Sequence, residues 1–306
     1  MTAPAPRFGA VLTAMVTPFD DQGALDLDGA ATLARWLAAH GSDGLVVAGT
    51  TGEGPVLSDE ERLDLIRAVT EAVTVPVVAA TGSNDTAHTV ALTGAAAGAG
   101  ADAVLVVTPY YNRPSQAGLA AHFEAAAGAT DLPVLLYDIP VRTGRPIAAP
   151  TMLALARRVP NLAGVKDSTG DPAGTAALVA AAPPGFEVYC GDDALTLPLL
   201  SVGAVGVVSV CSHWAGAAMG RLVAAHQDGK VDEAREANAA LLDSYAFESS
   251  EAAPNPVPAK AACRVLGLPA GQCRLPLGPA PAGLEEAAAT VVEGISPDLR
   301  PEHSVA

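Results

Sequence analysis

Lysine is rare in this 306-residue chain; Lys166, Lys230 and Lys260 are the only three. Lys166 closes the apolar run LAGVK, and a lysine that ends a buried strand points its amine into whatever the strand ends enclose. A free lysine amine, with a pKa of about 10.4, is protonated at neutral pH and is no nucleophile. Desolvation lowers that value, and an amine tuned toward roughly 7 to 8 attacks ketones and aldehydes to form a Schiff base. The competing use of Lys166 is an ion pair with Asp167 or another strand-end carboxylate. Lys230 and Lys260 fall in C-terminal helical stretches, where a solvated or snorkelling lysine is ordinary.

The company that Lys166 keeps favours chemistry. Hydroxyls gather at the same ends of the apolar runs: Thr50 and Thr51 in GTTGE, Tyr110 and Tyr111 in TPYYNRP, and Tyr137 at the end of VLLY. The chain has five tyrosines, so three at strand ends fit a proton relay better than three unrelated half-buried rings. Arg142 adds a permanently charged fork that matches a carboxylate, although a surface salt bridge is the commoner use of an arginine. The histidines His40, His88, His122, His213, His226 and His303 are scattered, so no metal-ligand cluster is expected and a metal-dependent aldolase is disfavoured.

These groups need a frame. Eight short apolar runs recur, VLTAMV, GLVVAG, VPVVAAT, AVLVV, VLLY, LAGVK, FEVYC and VGVVSV, apolar at every position as in strands buried on both faces of a parallel sheet. Helical punctuation separates them. Ser58 and Glu61 form a capping box before DLIRAVTEAV, and Asp171-Pro172 opens another helix. Eight strand-helix units predict a (β/α)8 TIM barrel over residues 1–228, with functional groups at the C-terminal ends of the strands. A doubly wound sheet would carry a glycine-rich phosphate turn after an early strand, and none is present; GAAAGAGAD precedes a strand and reads as a helix stop. From Gly229 onward the pattern is purely helical, which predicts an all-helical C-terminal domain over residues 229–306.

A net charge of −16 disfavours nucleic-acid and anionic-membrane partners and suits solubility. The start MTAPAPRFGAV has no basic region ahead of an apolar one, and no apolar run reaches the roughly 20 residues that span a bilayer. A cytoplasmic location is therefore expected. Cys190, Cys211, Cys263 and Cys273 match neither a CxxC pair nor a disulfide framework, and are expected as buried, reduced thiols.

GTTGE, TPYYNRPSQAG, LYDIPVRTG, GVKDSTGD, CGDDALTL, GVVSV and NPVPAKAA, in this order, resemble the dihydrodipicolinate synthase family, a branch of the pyruvate-dependent aldolases that includes N-acetylneuraminate lyase. The resemblance runs from about Phe8 to Leu277. It implies an imine between Lys166 and pyruvate, a relay of Tyr137, Thr50 and Tyr111, and Tyr111 reaching into a neighbouring subunit's site. It further implies that Thr51 holds the pyruvate carboxylate and Arg142 the carboxylate of aspartate semialdehyde, with Gly191 and Val208 offering carbonyls near the second substrate. No cofactor or metal is implied, and the assembly is a homotetramer, a dimer of dimers, serving diaminopimelate and lysine synthesis.

Several positions depart from the family pattern. Asp138 stands where many relatives carry Asn, and Gly54 where Ser is frequent. Relatives inhibited by lysine use Asn84, Tyr110 and an acid where this chain has His88, while their histidines align with Asp59 and Arg62; loss of the acid predicts weak inhibition by lysine. Two other functions compete: another Schiff-base lyase acting on sialic acid or 2-keto-3-deoxy-sugar acids, against which Arg142 in VRTG argues, and a keto-acid sensor, which has no need of the relay.

Overall fold

Each apolar run becomes a strand because it is buried on both sides. The strands are β1 (Val11–Ala14), β2 (Gly44–Val47), β3 (Val77–Ala80), β4 (Ala103–Val107), β5 (Val134–Asp138), β6 (Leu162–Asp167), β7 (Glu187–Cys190) and β8 (Gly206–Ser209). All pair in parallel, in chain order, and β8 returns to β1 to close the barrel. The computed structural model describes residues 5–295 and 297–298; His303 and the last stretch of the expected C-terminal domain lie outside them.

Helices α1 (Leu27–Ala39), α2 (Asp59–Ala72), α3 (Thr86–Gly98) and α4 (Gln116–Ala127) follow the first four strands. A short α5 (Pro140–Thr143) and α6 (Ala149–Arg158) follow β5; α7 (Pro172–Ala181) follows β6, α8 (Thr196–Ser201) follows β7, and α9 (Ser212–Gln227) follows β8. The expected caps are in place. Ser58 Oγ accepts from Glu61 N while Glu61 Oε2 accepts from Ser58 N, and Asp171 accepts from Gly174 N with Pro172 in the first turn. Each cap satisfies amides that the helix itself leaves unpaired.

Two apolar layers result from the period-two alternation of strand side chains. Leu12, Val46, Val78, Leu105, Leu135, Tyr137, Tyr189 and Val208 fill the barrel interior. Their neighbours Val11, Leu45, Val77, Val104, Val134 and Val207 face the helices. The pairing of β5 with β6 shifts once: Val134 pairs with Leu162 and Leu135 with Gly164, so Ala163 is an extra residue. Downstream of that bulge Val165 faces out, and Lys166 faces in beside Tyr137. A one-residue slip exchanges the two faces of a strand, so this bulge decides where the amine goes.

Helices α10 (Val231–Ala239), α11 (Leu242–Phe247), α12 (Val257–Val265) and α13 (Leu284–Gly294) complete the described chain. Tyr245, Ala259, Ala262, Leu266, Ala288 and Val292 join the same buried cluster as the barrel's outer layer. Trp214 of α9 sits at the seam, its indole N–H donating to Ser244 Oγ (3.1 Å) and its ring meeting Phe247 edge-on. The four cysteines are all free and buried.

Candidate active site

Lys166 is in register with Tyr137 on one side and Tyr189 on the other. Only 6% of it is exposed, and its amine lies 4.4 Å from the centroid of the Tyr137 ring. Space for its stem depends on Gly191 at the end of β7, where a Cβ would stand 2.8 Å from Lys166 Cε and 2.9 Å from Cγ and collide with Ser168 Oγ. Of the four residues expected to touch substrates without reacting, Gly191 therefore has a visible steric reason to be glycine.

A cavity of about 240 Å³ opens above the strand ends, lined by Thr50, Tyr110, Tyr137, Ile139, Arg142 and Thr143 among others. Lys166 does not line it directly; Tyr137 does, and carries the amine beneath its ring. Thr50 and Arg142, expected from the strand-end positions, thus meet Tyr137 in one space. Val208 faces the barrel interior within the same apolar cluster as Tyr137. Thr51 is buried at 4% exposure and turns toward the C-terminal segment, where Asn255 Nδ2 donates to its Oγ (3.0 Å). Tyr111 is not brought to this space; it stands 90% exposed at φ 70°.

Backbone strain is concentrated in the two loops that carry these hydroxyls. Ala48 (φ 57°), Glu53 (φ 54°), Tyr111 (φ 70°) and Arg113 (φ 46°) are the described non-glycine residues with left-handed backbone, two in the loop after β2 and two in the loop after β4. Such conformations cost on the order of 1 kcal/mol or more each and persist where the surroundings over-determine them. The turn at Ala48 also explains Gly54: a Cβ there would collide with the Ala48 carbonyl oxygen, so the serine frequent in relatives has no room without a shift.

The loop after β2 is held by a buried ionic network. Lys260 of α12 pairs with Glu53 at 2.6 Å, both side chains at most 1% exposed, and donates to the Gln272 carbonyl (3.0 Å). This corrects the expectation of a solvated lysine at 260. Its carboxylate partner lies 207 positions away, too far for local pattern to reveal. Burial pulls the Lys260 pKa down and the Glu53 carboxylate opposes that pull. Glu53 Oε2 also accepts from Arg274 N (2.9 Å), and the Arg274 guanidinium pairs with Glu61, which lowers the Glu61 pKa through those hydrogen bonds. Lys260 and Arg274 each place a cationic group 4.2 Å from the centre of the Phe19 ring.

Five more titratable groups lie around the site. Asp138, directly after Tyr137, is 2% exposed and accepts from Ile147 N (3.0 Å); burial, with a contribution from Asp167, pushes its carboxyl up to about 7. Glu248 is pushed up to about 11 by burial and by Asp193, so it carries its proton at neutral pH. Asp193, Cys211 and Glu248 bring oxygen and sulfur atoms within 4.8 Å of one another, a grouping that their scattered sequence positions did not suggest. Asp193 uses Oδ2 to accept from Val210 N (2.7 Å) and Cys211 N (3.0 Å), tying the end of β8 to the loop after β7. His213, fully buried, donates through Nδ1 to Val210 O and accepts through Nε2 from Val16 N, and burial lowers its pKa to about 4.

His88 Nε2 lies 2.8 Å from Asp59 Oδ1, so a carboxylate from α2 stands beside the histidine of α3.

Comparison with known proteins agrees with this geometry. Residues 7–294 match the dihydrodipicolinate synthetase family. The 4-hydroxy-tetrahydrodipicolinate synthase of Moorella thermoacetica is 50% identical over 273 residues, covering 89% of this chain and 92% of its own length. A dihydrodipicolinate synthase structure from Bacillus anthracis superposes with a TM-score of 0.91 at 40% identity, covering 95% of this chain and 99% of that one. A dihydrodipicolinate synthase from Cyanidioschyzon merolae, crystallised with lysine bound, gives a TM-score of 0.90 at 43% identity, covering 94% and 98%.

Proposed function

The chain belongs to the dihydrodipicolinate synthetase family, and we propose from that membership and the site geometry that it condenses pyruvate, held as a Schiff base on Lys166, with L-aspartate 4-semialdehyde to give 4-hydroxy-tetrahydrodipicolinate. The observation that carries this reading is a nearly buried lysine amine, inward on β6 and beside the Tyr137 ring, under a cavity shared by Thr50 and Arg142.

The Lys166 amine adds to the keto carbon of pyruvate, and loss of water leaves the imine. The protonated imine draws electrons from the adjacent methyl group, which gives up a proton and becomes the nucleophilic enamine carbon. That carbon attacks the aldehyde of the second substrate, whose oxygen takes a proton. The substrate amine then adds to the imine carbon, and expulsion of the Lys166 amine closes the ring. Tyr137, Thr50 and Tyr111 move the protons, Thr51 receives the pyruvate carboxylate, and Arg142 at the rim receives the carboxylate of the semialdehyde. The Gly191 and Val208 carbonyls face the second substrate. Residues 1–228 carry the reaction, and 229–306 brace it.

Tyr111 cannot serve its own barrel from its exposed position, which supports its use in a neighbouring subunit's site within a tight dimer. Two such dimers make the tetramer. Among the described residues no helix is long and apolar enough to cross a membrane, which accords with a biosynthetic enzyme of the cytoplasm that feeds diaminopimelate and lysine formation.

Borohydride reduction in the presence of pyruvate, followed by peptide mass mapping, tests the Schiff base. A stable pyruvate adduct on Lys166 is expected, and an unlabelled Lys166 overturns the reading. Turnover with aspartate semialdehyde, and none with sialic or 2-keto-3-deoxy-sugar acids, tests the second substrate.

A further inference from the structure

We propose that Asn255, on the turn that leads into α12, is a positioning residue for the keto-acid carboxylate and acts through Thr51. This rests on the reading that Thr51 receives that carboxylate.

A hydroxyl has one proton to give and lone pairs with which to accept. Asn255 Nδ2 donates to Thr51 Oγ at 3.0 Å, so the amide takes a lone pair and leaves the threonine proton for another acceptor. Among the described residues no protein oxygen accepts it. An incoming carboxylate therefore meets a hydroxyl already turned to donate, without competition from a protein acceptor. Fixing a donor before the substrate arrives is where such groups gain most of their effect.

The loop that carries the hydroxyl is itself fixed. Two residues after Thr51, Glu53 is held by Lys260 at 2.6 Å and by the Arg274 amide at 2.9 Å. Arg274 also donates to the carbonyls of Val56 (3.0 Å), in the same loop as Thr51, and Gly23 (2.8 Å), between β1 and α1. From the opposite face, Thr17 Oγ donates to the Gly52 carbonyl (2.6 Å). The backbone around Thr51 is thus clamped from the loop after β1 and from the C-terminal segment. Within that clamp, Asn255 is the residue that sets the direction of a hydroxyl proton.

The test uses Asn255→Asp, nearly isosteric but able only to accept when ionised, and Asn255→Ala, which removes the donor. The readout is the pyruvate concentration that half-saturates borohydride labelling of Lys166, with no second substrate present. Asn255→Asp draws the Thr51 proton toward itself, and half-saturation is expected to rise by about tenfold or more, the scale of a lost hydrogen bond to a charged group. Asn255→Ala is expected to raise it by about fivefold. In steady state, the KM for pyruvate should follow these shifts, while kcat at saturating pyruvate and the KM for aspartate semialdehyde stay within about threefold. In a Thr51→Val background, Asn255→Ala should add less than about twofold, because the group it acts through is gone.

If wild type is labelled and Asn255→Asp half-saturates within twofold of it, the positioning role is overturned and the Schiff base stands. An equal fall in kcat and in the melting temperature, repeated in the Thr51→Val background, reduces Asn255 to a structural brace and also overturns the role. Should either single variant fail to fold, the other carries the measurement. Failure of wild type itself to be labelled overturns the reading on which the proposal rests.

Discussion

Replacing Asp138 by asparagine should stabilise the protein progressively as pH rises from 5 to 8. Asp138 is 2% exposed, only its Oδ2 has a hydrogen-bond partner, the Ile147 amide, and its carboxyl is pushed up to about 7. In the unfolded chain an aspartate titrates near 3.9. Between those values the folded state holds a proton that the unfolded state has released. The number of bound protons is then larger in the folded state, so stability falls as pH rises through this window. Asp138 costs nothing below about pH 4, about 1.5 kcal/mol at pH 5, and about 4 kcal/mol at pH 8, as an upper bound. Asparagine does not titrate and keeps an acceptor for Ile147 N. Urea unfolding in matched buffers should show the variant's advantage growing by about 2 to 3 kcal/mol between pH 5 and 8. For a chain of this length, about 4 kcal/mol corresponds to roughly 6 °C in the melting temperature at pH 8. Parallel profiles across the range, with the gap constant to within about 1 kcal/mol, would show that Asp138 ionises normally and refute the reasoning.

Lys166→Ala should abolish both turnover and pyruvate-dependent labelling, and more than a tenth of wild-type activity in a steady-state assay would contradict the proposed chemistry. Lys260→Met leaves the Glu53 carboxylate buried without its partner and should cost about 3 to 5 kcal/mol in urea unfolding, much of it recovered when Glu53→Gln is added. Glu248→Gln replaces a carboxyl that already carries its proton, so its stability at pH 7 should stay within about 1 kcal/mol of wild type, whereas Glu248→Ala leaves Asp193 without that neighbour and should cost about 1 to 3 kcal/mol.

The barrel was legible because its cause is local: runs such as VLLY and VGVVSV are apolar at every position, and only a strand covered on both faces asks for that. The special place of Lys166 was legible for the same reason, since a lysine at the end of such a run has nowhere to go but the mouth. The device that delivers its inward direction was not, because it is the extra residue Ala163, and a bulge exists only relative to a paired strand. Long-range partners were equally hidden. Lys260 reads as an ordinary helical lysine until Glu53 is set beside it, and Asn255 as a turn residue until Thr51 is. The grouping of Asp193, Cys211 and Glu248 and the pairing of His88 with Asp59 belong to this class. Side-chain type and spacing report what a segment does alone; these contacts arise when segments far apart in the chain meet.

The brace formed by Asn255, Lys260 and Arg274 has a consequence for how the protein is made. A ribosome delivers the barrel first, with Lys166, and these three residues only after it. Until they emerge, the threonine loop lacks its clamp. The clamp of the nascent barrel thereby waits on the segment that follows it.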